Sequence, residues 1–75
     1  MNKQNRKDLQ AALDKATEAM EEIRTIAEEE REKFDNMPEG LQSGDQGQAI
    51  EQAADALEQA ADDIENAISS ASEHA

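Results

Sequence analysis

The sequence has few residues that cross-link a chain or bend it. Among its 75 residues there is no cysteine, tryptophan or tyrosine, one phenylalanine, one proline and three glycines. Without cysteine there is no disulfide and no thiolate metal site. No apolar run approaches the roughly 20 residues that a membrane-spanning helix needs, and no signal peptide is recognisable. We therefore expect a cytoplasmic protein that does not associate with membranes.

Positive charge is also scarce and unevenly placed. The chain has 7 Lys and Arg against 19 Asp and Glu, a formal charge of −12, and residues 34–75 contain ten acids and no Lys or Arg. Binding to nucleic-acid phosphates needs clusters of Lys and Arg. We therefore expect no direct binding to nucleic acid, and we expect a protein partner with a basic surface.

The acidic half contains a heptad repeat. Residues 50–56 read IEQAADA, residues 57–63 read LEQAADD and residues 64–70 read IENAISS. A seven-residue period with apolar first and fifth positions is typical of a helix packed along a seam. In heptad notation, column d is Ile50, Leu57, Ile64 and Ala71, column a is Ala54, Ala61 and Ile68, and column g is Ala53, Ala60 and Ala67.

The first half has the same period. Its apolar residues recur by steps of three and four from Leu9 to Met37, and an added g column widens the stripe into the broad face of a bundle helix. Glu30 is the one charged residue in the seam. Column a is Leu13, Met20, Ala27 and Phe34, column d is Leu9, Ala16, Ile23 and Glu30, and column g is Ala12, Ala19 and Ile26.

The only proline and all three glycines lie in residues 36–48, which predicts a connection there. We predict one helix over about 3–35, a loop over 36–44 and a second helix over about 45–72, within a single domain of residues 1–75. Long helices joined by a short loop run antiparallel. The predicted fold is an all-α, coiled-coil-like antiparallel hairpin that dimerises into a four-helix bundle. We expect the most buried residues to include Leu13, Met20, Ile23, Ile50, Leu57 and Ile64.

No pattern typical of catalysis or metal binding is present. His74 is the only histidine, and no Ser, Cys or carboxylate is spaced to form a triad with it. The Glu-x-x-His pairs of di-metal bundle sites are absent. A calcium loop starting at Asp35 fails because its twelfth position, where a bidentate Glu is needed, is Gln46. We therefore predict no enzymatic activity, no metal and no cofactor.

The acidic side chains of the second helix are the candidate partner-binding residues. Carboxylates three or four residues apart on a helix lie about 5–6 Å apart, comparable with phosphates that repeat every ~3.4 Å on a nucleic-acid strand. The simpler interpretation is a solvated surface kept soluble by negative charge. The absence of any base favours function, because ordinary helix surfaces mix signs. The candidates are Glu51, Asp55, Glu58, Asp62, Asp63 and Glu65.

The segment Phe34-Asp35-Asn36-Met37-Pro38-Glu39-Gly40-Leu41-Gln42-Ser43, followed by Gly47 and Ala/Glu-rich heptads, resembles a group of small acidic helical proteins of phages and prophages. The resemblance covers roughly residues 30–68. It implies a phage origin and a location in the host cytoplasm. The group is largely without assigned activity, so no functional residues carry over.

These observations predict a small acidic interaction protein, specifically a phage-encoded inhibitor that occupies a basic nucleic-acid-binding surface of a host protein. The alternative, from a different functional class, is a purely structural or assembly protein whose product is the helical bundle itself.

Overall fold

The computed structural model describes all 75 residues and contains three helices, α1 (Lys3–Asp35), α2 (Glu39–Gln42) and α3 (Asp45–Ser72), and no strand. α1 and α3 pack against each other along their length and form a rod with extents of 58 × 15 × 13 Å. The prediction of an all-α fold built on a pair of long packed helices is confirmed. The connection differs from a plain loop because it contains the one-turn helix α2.

Ion pairs between the two long helices define their relative direction. Arg24 of α1 contacts Asp62 and Glu65 of α3. Arg31, one heptad further along α1, contacts Asp55 and Glu58, one heptad earlier in α3. The helices therefore run antiparallel, with the connection at one end of the rod, called here the loop end, and both termini at the other, called here the open end.

The centre of the packing is a line of small side chains. Ala27, Ala54 and Ala61, all in column a, are completely buried, and Leu13 and Met20 each keep only 8% of their surface exposed. Fully buried alanines allow two helix backbones to approach at the short end of the usual ~8–10 Å range. The seam thus combines close approach of the backbones at the three alanines with two buried large side chains in the first half of α1.

The prediction of the most buried residues was right for Leu13 and Met20 and wrong for the rest. Column d is half-buried throughout, in both helices. The reason is geometric, because column a points at the opposite helix, whereas column d points to one side of the contact. The four residues predicted to be among the most buried that are only half-buried are Ile23, Ile50, Leu57 and Ile64.

The connection is held by contacts around Gln42. Its side-chain Nε2 donates a 2.9 Å hydrogen bond to the backbone carbonyl of Phe34, in the last turn of α1. Its backbone lies against Gly47, in the first turn of α3, which is buried. Gln42 of α2 therefore contacts both the end of α1 and the start of α3.

One side of the hairpin remains apolar. The half-buried column d of each helix is flanked by the alanine-rich column g, on the side away from the inter-helix ion pairs. Ile26, in column g of α1, is 49% exposed. We call the surface formed by the apolar residues of columns d and g of both helices the apolar face; the ion pair of Glu30 and Lys33 bounds it toward the loop end. None of the helices combines the length and the apolar character that crossing a bilayer requires.

Candidate acidic interaction surface

All the predicted partner-binding carboxylates lie on α3, but not on a single face. Glu51, Glu58 and Glu65 are in column e, Asp55 and Asp62 are in the neighbouring column b, and Asp63 is in column c. On a helix, columns b and e adjoin, whereas column c lies about 100° further round. The candidates therefore divide into a flank formed by columns b and e, called here the acidic flank, and the separate Asp63.

Arg24 of α1 lies over the C-terminal part of the acidic flank. Its Nη1 donates to Oδ1 of Asp62 at 2.9 Å, and its Nη2 donates to an oxygen of Glu65. The guanidinium group is about one-third exposed, and the two carboxylates are more than half exposed. Because the forked guanidinium matches two acceptors at once, this contact fixes the arginine side chain across the helix pair.

Arg31 repeats the same arrangement one heptad later in α1. Its Nη2 donates to Oδ1 of Asp55 and, at 3.3 Å, to Oε1 of Glu58. In both sites each carboxylate uses only one of its two oxygens, so the other oxygen stays available to a further donor. We call these two sites the arginine clamps.

The clamps hold their cations firmly in the charged state. The pKa of Arg24 is raised chiefly because its guanidinium donates to Asp62, and the pKa of Arg31 is raised chiefly because it donates to Asp55. A raised pKa means that the folded state favours the protonated form. The contribution of these pKa shifts to stability is therefore present throughout the neutral range and is lost as the pH rises through the raised pKa of each arginine.

The remaining two candidates are not in a clamp. Glu51 is half-buried and makes no ion pair, and Asp63 accepts a 2.9 Å hydrogen bond from Nε2 of Gln59 on its own helix. Glu30, the charged residue of the seam, accepts a 2.9 Å hydrogen bond from Lys33, which raises the pKa of that lysine. The structure thus brings four of the six candidates into the clamps and leaves two apart.

The lack of Lys and Arg in residues 34–75 indicated a purely anionic outer face on the second helix, and these contacts show that this interpretation was wrong. The cations over the acidic flank come from α1, so counting the charges of residues 34–75 alone did not reveal them. A sequence signal was present, because Arg24 and Arg31 are seven residues apart in column e. In antiparallel helix pairs the e columns of the two helices meet, and opposite charges there pair across the seam.

The molecule has little concave surface. The one cleft lies at the open end and is lined by Met1, Arg6, Glu73, His74 and Ala75, away from the acidic flank. No three His, Cys, Asp or Glu side chains converge where they would hold a metal ion. The distinctive features of the surface are therefore its charge and the apolar face.

Comparison with known proteins gives no match to a family model, to a curated protein or to a solved structure.

The clamps should contribute to stability in a salt-dependent way. We expect Arg24→Gln combined with Arg31→Gln to lower the melting temperature at low ionic strength, and the loss to shrink in about 1 M NaCl, where the Debye length is ~3 Å. Lys3→Gln with Lys7→Gln is the matched control, because it changes the net charge equally at exposed positions that make no ion pair. The melting temperatures are measured by circular dichroism. An equal fall in melting temperature in both variants would show that the clamps contribute nothing to stability beyond their effect on net charge.

Proposed function

We propose that this chain is a small acidic interaction protein without enzymatic activity, which binds a basic nucleic-acid-binding surface of another protein in place of the nucleic acid. The observation that supports this most is the net charge of −12 on a rod 58 Å long, on which even the clamped carboxylates of α3 remain about half exposed. At ~3.4 Å per step, this length corresponds to about 17 nucleotide steps of a duplex. The similarity to phage proteins favours a host protein as the partner, and the host cytoplasm as the place of action.

The arginine clamps are compatible with such a role. Each clamped carboxylate keeps one oxygen free and stays about half exposed. Arginines that bridge neighbouring carboxylates also hold these carboxylates at fixed positions. The carboxylate side chains therefore lose little conformational entropy when a partner binds. In this proposal the partner contacts the outward oxygens of Asp55, Glu58, Asp62 and Glu65, together with the unclamped Glu51 and Asp63.

The test compares two variants of equal charge. One replaces Asp55, Glu58, Asp62 and Glu65 by their amides, and the control replaces four exposed acids of α1 by their amides, namely Asp14, Glu18, Glu32 and Asp35. Both change the net charge from −12 to −8. The probe is the heparin-binding fraction of a bacterial lysate, applied to the immobilised chain, with duplex DNA as competitor.

We expect the unmodified chain to retain proteins that both duplex DNA and high salt release, since such contacts are electrostatic. The acidic-flank variant should retain at least about tenfold less lysate protein than the unmodified chain. The control variant should retain nearly as much as the unmodified chain. Circular dichroism checks that both variants keep their helices. Equal retention by the two variants would reduce the acidic flank to a solubilising surface.

We also propose that the chain forms a homodimer, a four-helix bundle closed through the apolar face. The chain exposes 5451 Å², whereas a compact monomer of 8.2 kDa exposes about 4,500 Å². The excess is on the order of 900 Å², close to the ~800 Å² that each partner buries in a standard interface. The apolar face also favours the second candidate function, a purely structural or assembly protein whose product is the bundle.

A further inference from the structure

We infer that two copies of this chain pack antiparallel through their apolar faces, so that the open end of one hairpin lies beside the loop end of the other. This inference rests on the proposed homodimer and adds its orientation. A two-fold axis along the rods gives a parallel dimer, whereas a two-fold axis perpendicular to the rods gives an antiparallel one. The apolar face alone does not choose between them, but the charge along the rod does.

The open end carries no net side-chain charge. Residues 1–18 and 69–75 contain four bases and four acids. All four bases are exposed, and none of them takes part in an ion pair within the chain, since the ion pairs use only Arg24, Arg31 and Lys33. The unpaired bases are Lys3, Arg6, Lys7 and Lys15.

The loop end carries most of the negative charge. Residues 27–60 contain ten acids and two bases, a net charge of −8, and both bases are already paired with acids of the same chain. The middle of the rod, residues 19–26 and 61–68, carries −4. The open end is therefore neutral, and all of the net negative charge lies in the middle and the loop end.

This difference in charge between the two ends favours the antiparallel dimer. A parallel dimer places two ends of charge −8 side by side, whereas an antiparallel dimer places each of them beside four unpaired bases. Helices packed in a bundle lie about 8–10 Å apart, and the Debye length at physiological ionic strength is about 8 Å. Charges on neighbouring helices are therefore only partly screened, and the repulsion between like ends counts against the parallel arrangement.

The rim of the apolar face provides the same complementarity at closer range. Lys15, Glu22 and Glu29 lie in column c of α1, which borders column g, and all three are exposed. An antiparallel arrangement brings Lys15 of each copy toward the Glu22–Glu29 stretch of the second copy. A parallel arrangement instead sets α1 of each copy against α3 of the second copy, so that Glu22 lies toward Asp63, which is in column c of α3 and exposed, and like charges at such positions are repulsive.

Spin-label distances test the orientation directly, because the chain has no cysteine and a single one can be added at will. With Ser43→Cys, in the turn after α2, the antiparallel dimer separates the two labels by at least about 40 Å, the length of 28 residues of α3 at ~1.5 Å each. A parallel dimer brings them within about 20 Å, since adjacent helices lie ~10 Å apart. The control is Thr25→Cys, near the middle of α1 on its outer side, which gives a short distance in either dimer.

A long distance between the two labels in Ser43→Cys, together with a short distance between them in Thr25→Cys, supports the inference. A short distance at both positions overturns the orientation and leaves the homodimer in place. Absence of a dipolar signal at both positions, with a monomeric mass by sedimentation equilibrium, overturns the homodimer and the orientation together. None of these results depends on capture of a partner through the acidic flank, so that proposal is tested separately.

A second variant checks that the apolar face is the interface. Ile26→Glu places a charge in the centre of the face at a residue that is 49% exposed in the single hairpin, so the hairpin itself should keep its helices. We expect the dissociation constant of the dimer to rise at least about 100-fold. The reason is that each of the two copies related by the two-fold axis buries one such carboxylate in the interface. The control is Leu41→Glu, an equal change of charge at an exposed residue of α2 outside the face. An unchanged mass for Ile26→Glu overturns the inference.

Discussion

Replacing Gly47 by alanine is expected to lower the melting temperature by about 5–20 °C, because the first turn of α3 has no space for a side chain. A Cβ atom at this position would lie 2.7 Å from both the Cα and the carbonyl carbon of Gln42, and still closer to its carbonyl oxygen. These are backbone atoms, so no side-chain rotation relieves the clash. α2 must then move away from α3, and the hydrogen bond from Gln42 to Phe34 is strained or lost with it.

Gly40→Ala is the matched control for this prediction, and its expected effect has the opposite sign. Gly40 lies within α2, and a Cβ atom there meets nothing within 4 Å. Alanine is favoured over glycine in a helix by about 1 kcal/mol, so we expect a small rise in melting temperature. Thermal unfolding followed by circular dichroism at one protein concentration measures both variants. A fall for Gly40→Ala equal to that for Gly47→Ala would mean that any added side chain disturbs the connection.

The packing of two long helices could be predicted from the sequence because its signal is local. Each heptad repeats its apolar positions within a few residues, as in the units that begin at Ile50, Leu57 and Ile64. The position of the connection was visible for the same reason, since the proline and glycines are confined to one segment. In such cases the spacing of residues along the chain determines the structure without reference to distant parts of it.

The most buried residues could not be read from the same pattern. Heptad notation makes columns a and d look equivalent, but Ala27, Ala54 and Ala61 are fully buried while column d is half-buried. The distance between the two helix backbones decides whether column a alone, or columns a and d together, face the opposite helix. This distance depends on the side chains of both helices and cannot be read from either one. The clamps were missed for a related reason, because Arg24 and its carboxylates are 38 and 41 residues apart in the sequence.

The role of Gly47 also lies beyond local sequence signals. Glycine near the start of a helix ordinarily indicates conformational freedom, but no residue of this chain has a positive φ angle. Here the glycine is needed for space, since the backbone of Gln42 occupies the volume that a side chain would take. Only the folded arrangement of α2 against α3 shows this requirement.

Replacing Ala27 by leucine is expected to have the second large effect on stability, because the helices approach closely at this residue. Ala27 is completely buried and lies on the same central line as Ala54 and Ala61. Ala27→Leu adds three carbon atoms where there is no space, so α1 and α3 must separate or rotate. Overpacking of this kind costs about 1–3 kcal/mol, and we expect a fall in melting temperature of about 4–8 °C for each kcal/mol.

Ala11→Leu separates this packing effect from the effect of the substitution itself. Ala11 lies on the exposed side of the same helix, and leucine and alanine have similar helix propensities, so we expect a change within about 0.5 kcal/mol. Both variants are compared with the unmodified chain at one protein concentration, because a dimer melts at a temperature that depends on concentration. If Ala27→Leu unfolds at the same temperature as Ala11→Leu, the helices are not held together by the close contact of small side chains. The stability of the hairpin would then have to come from the half-buried column d and its burial against a second copy.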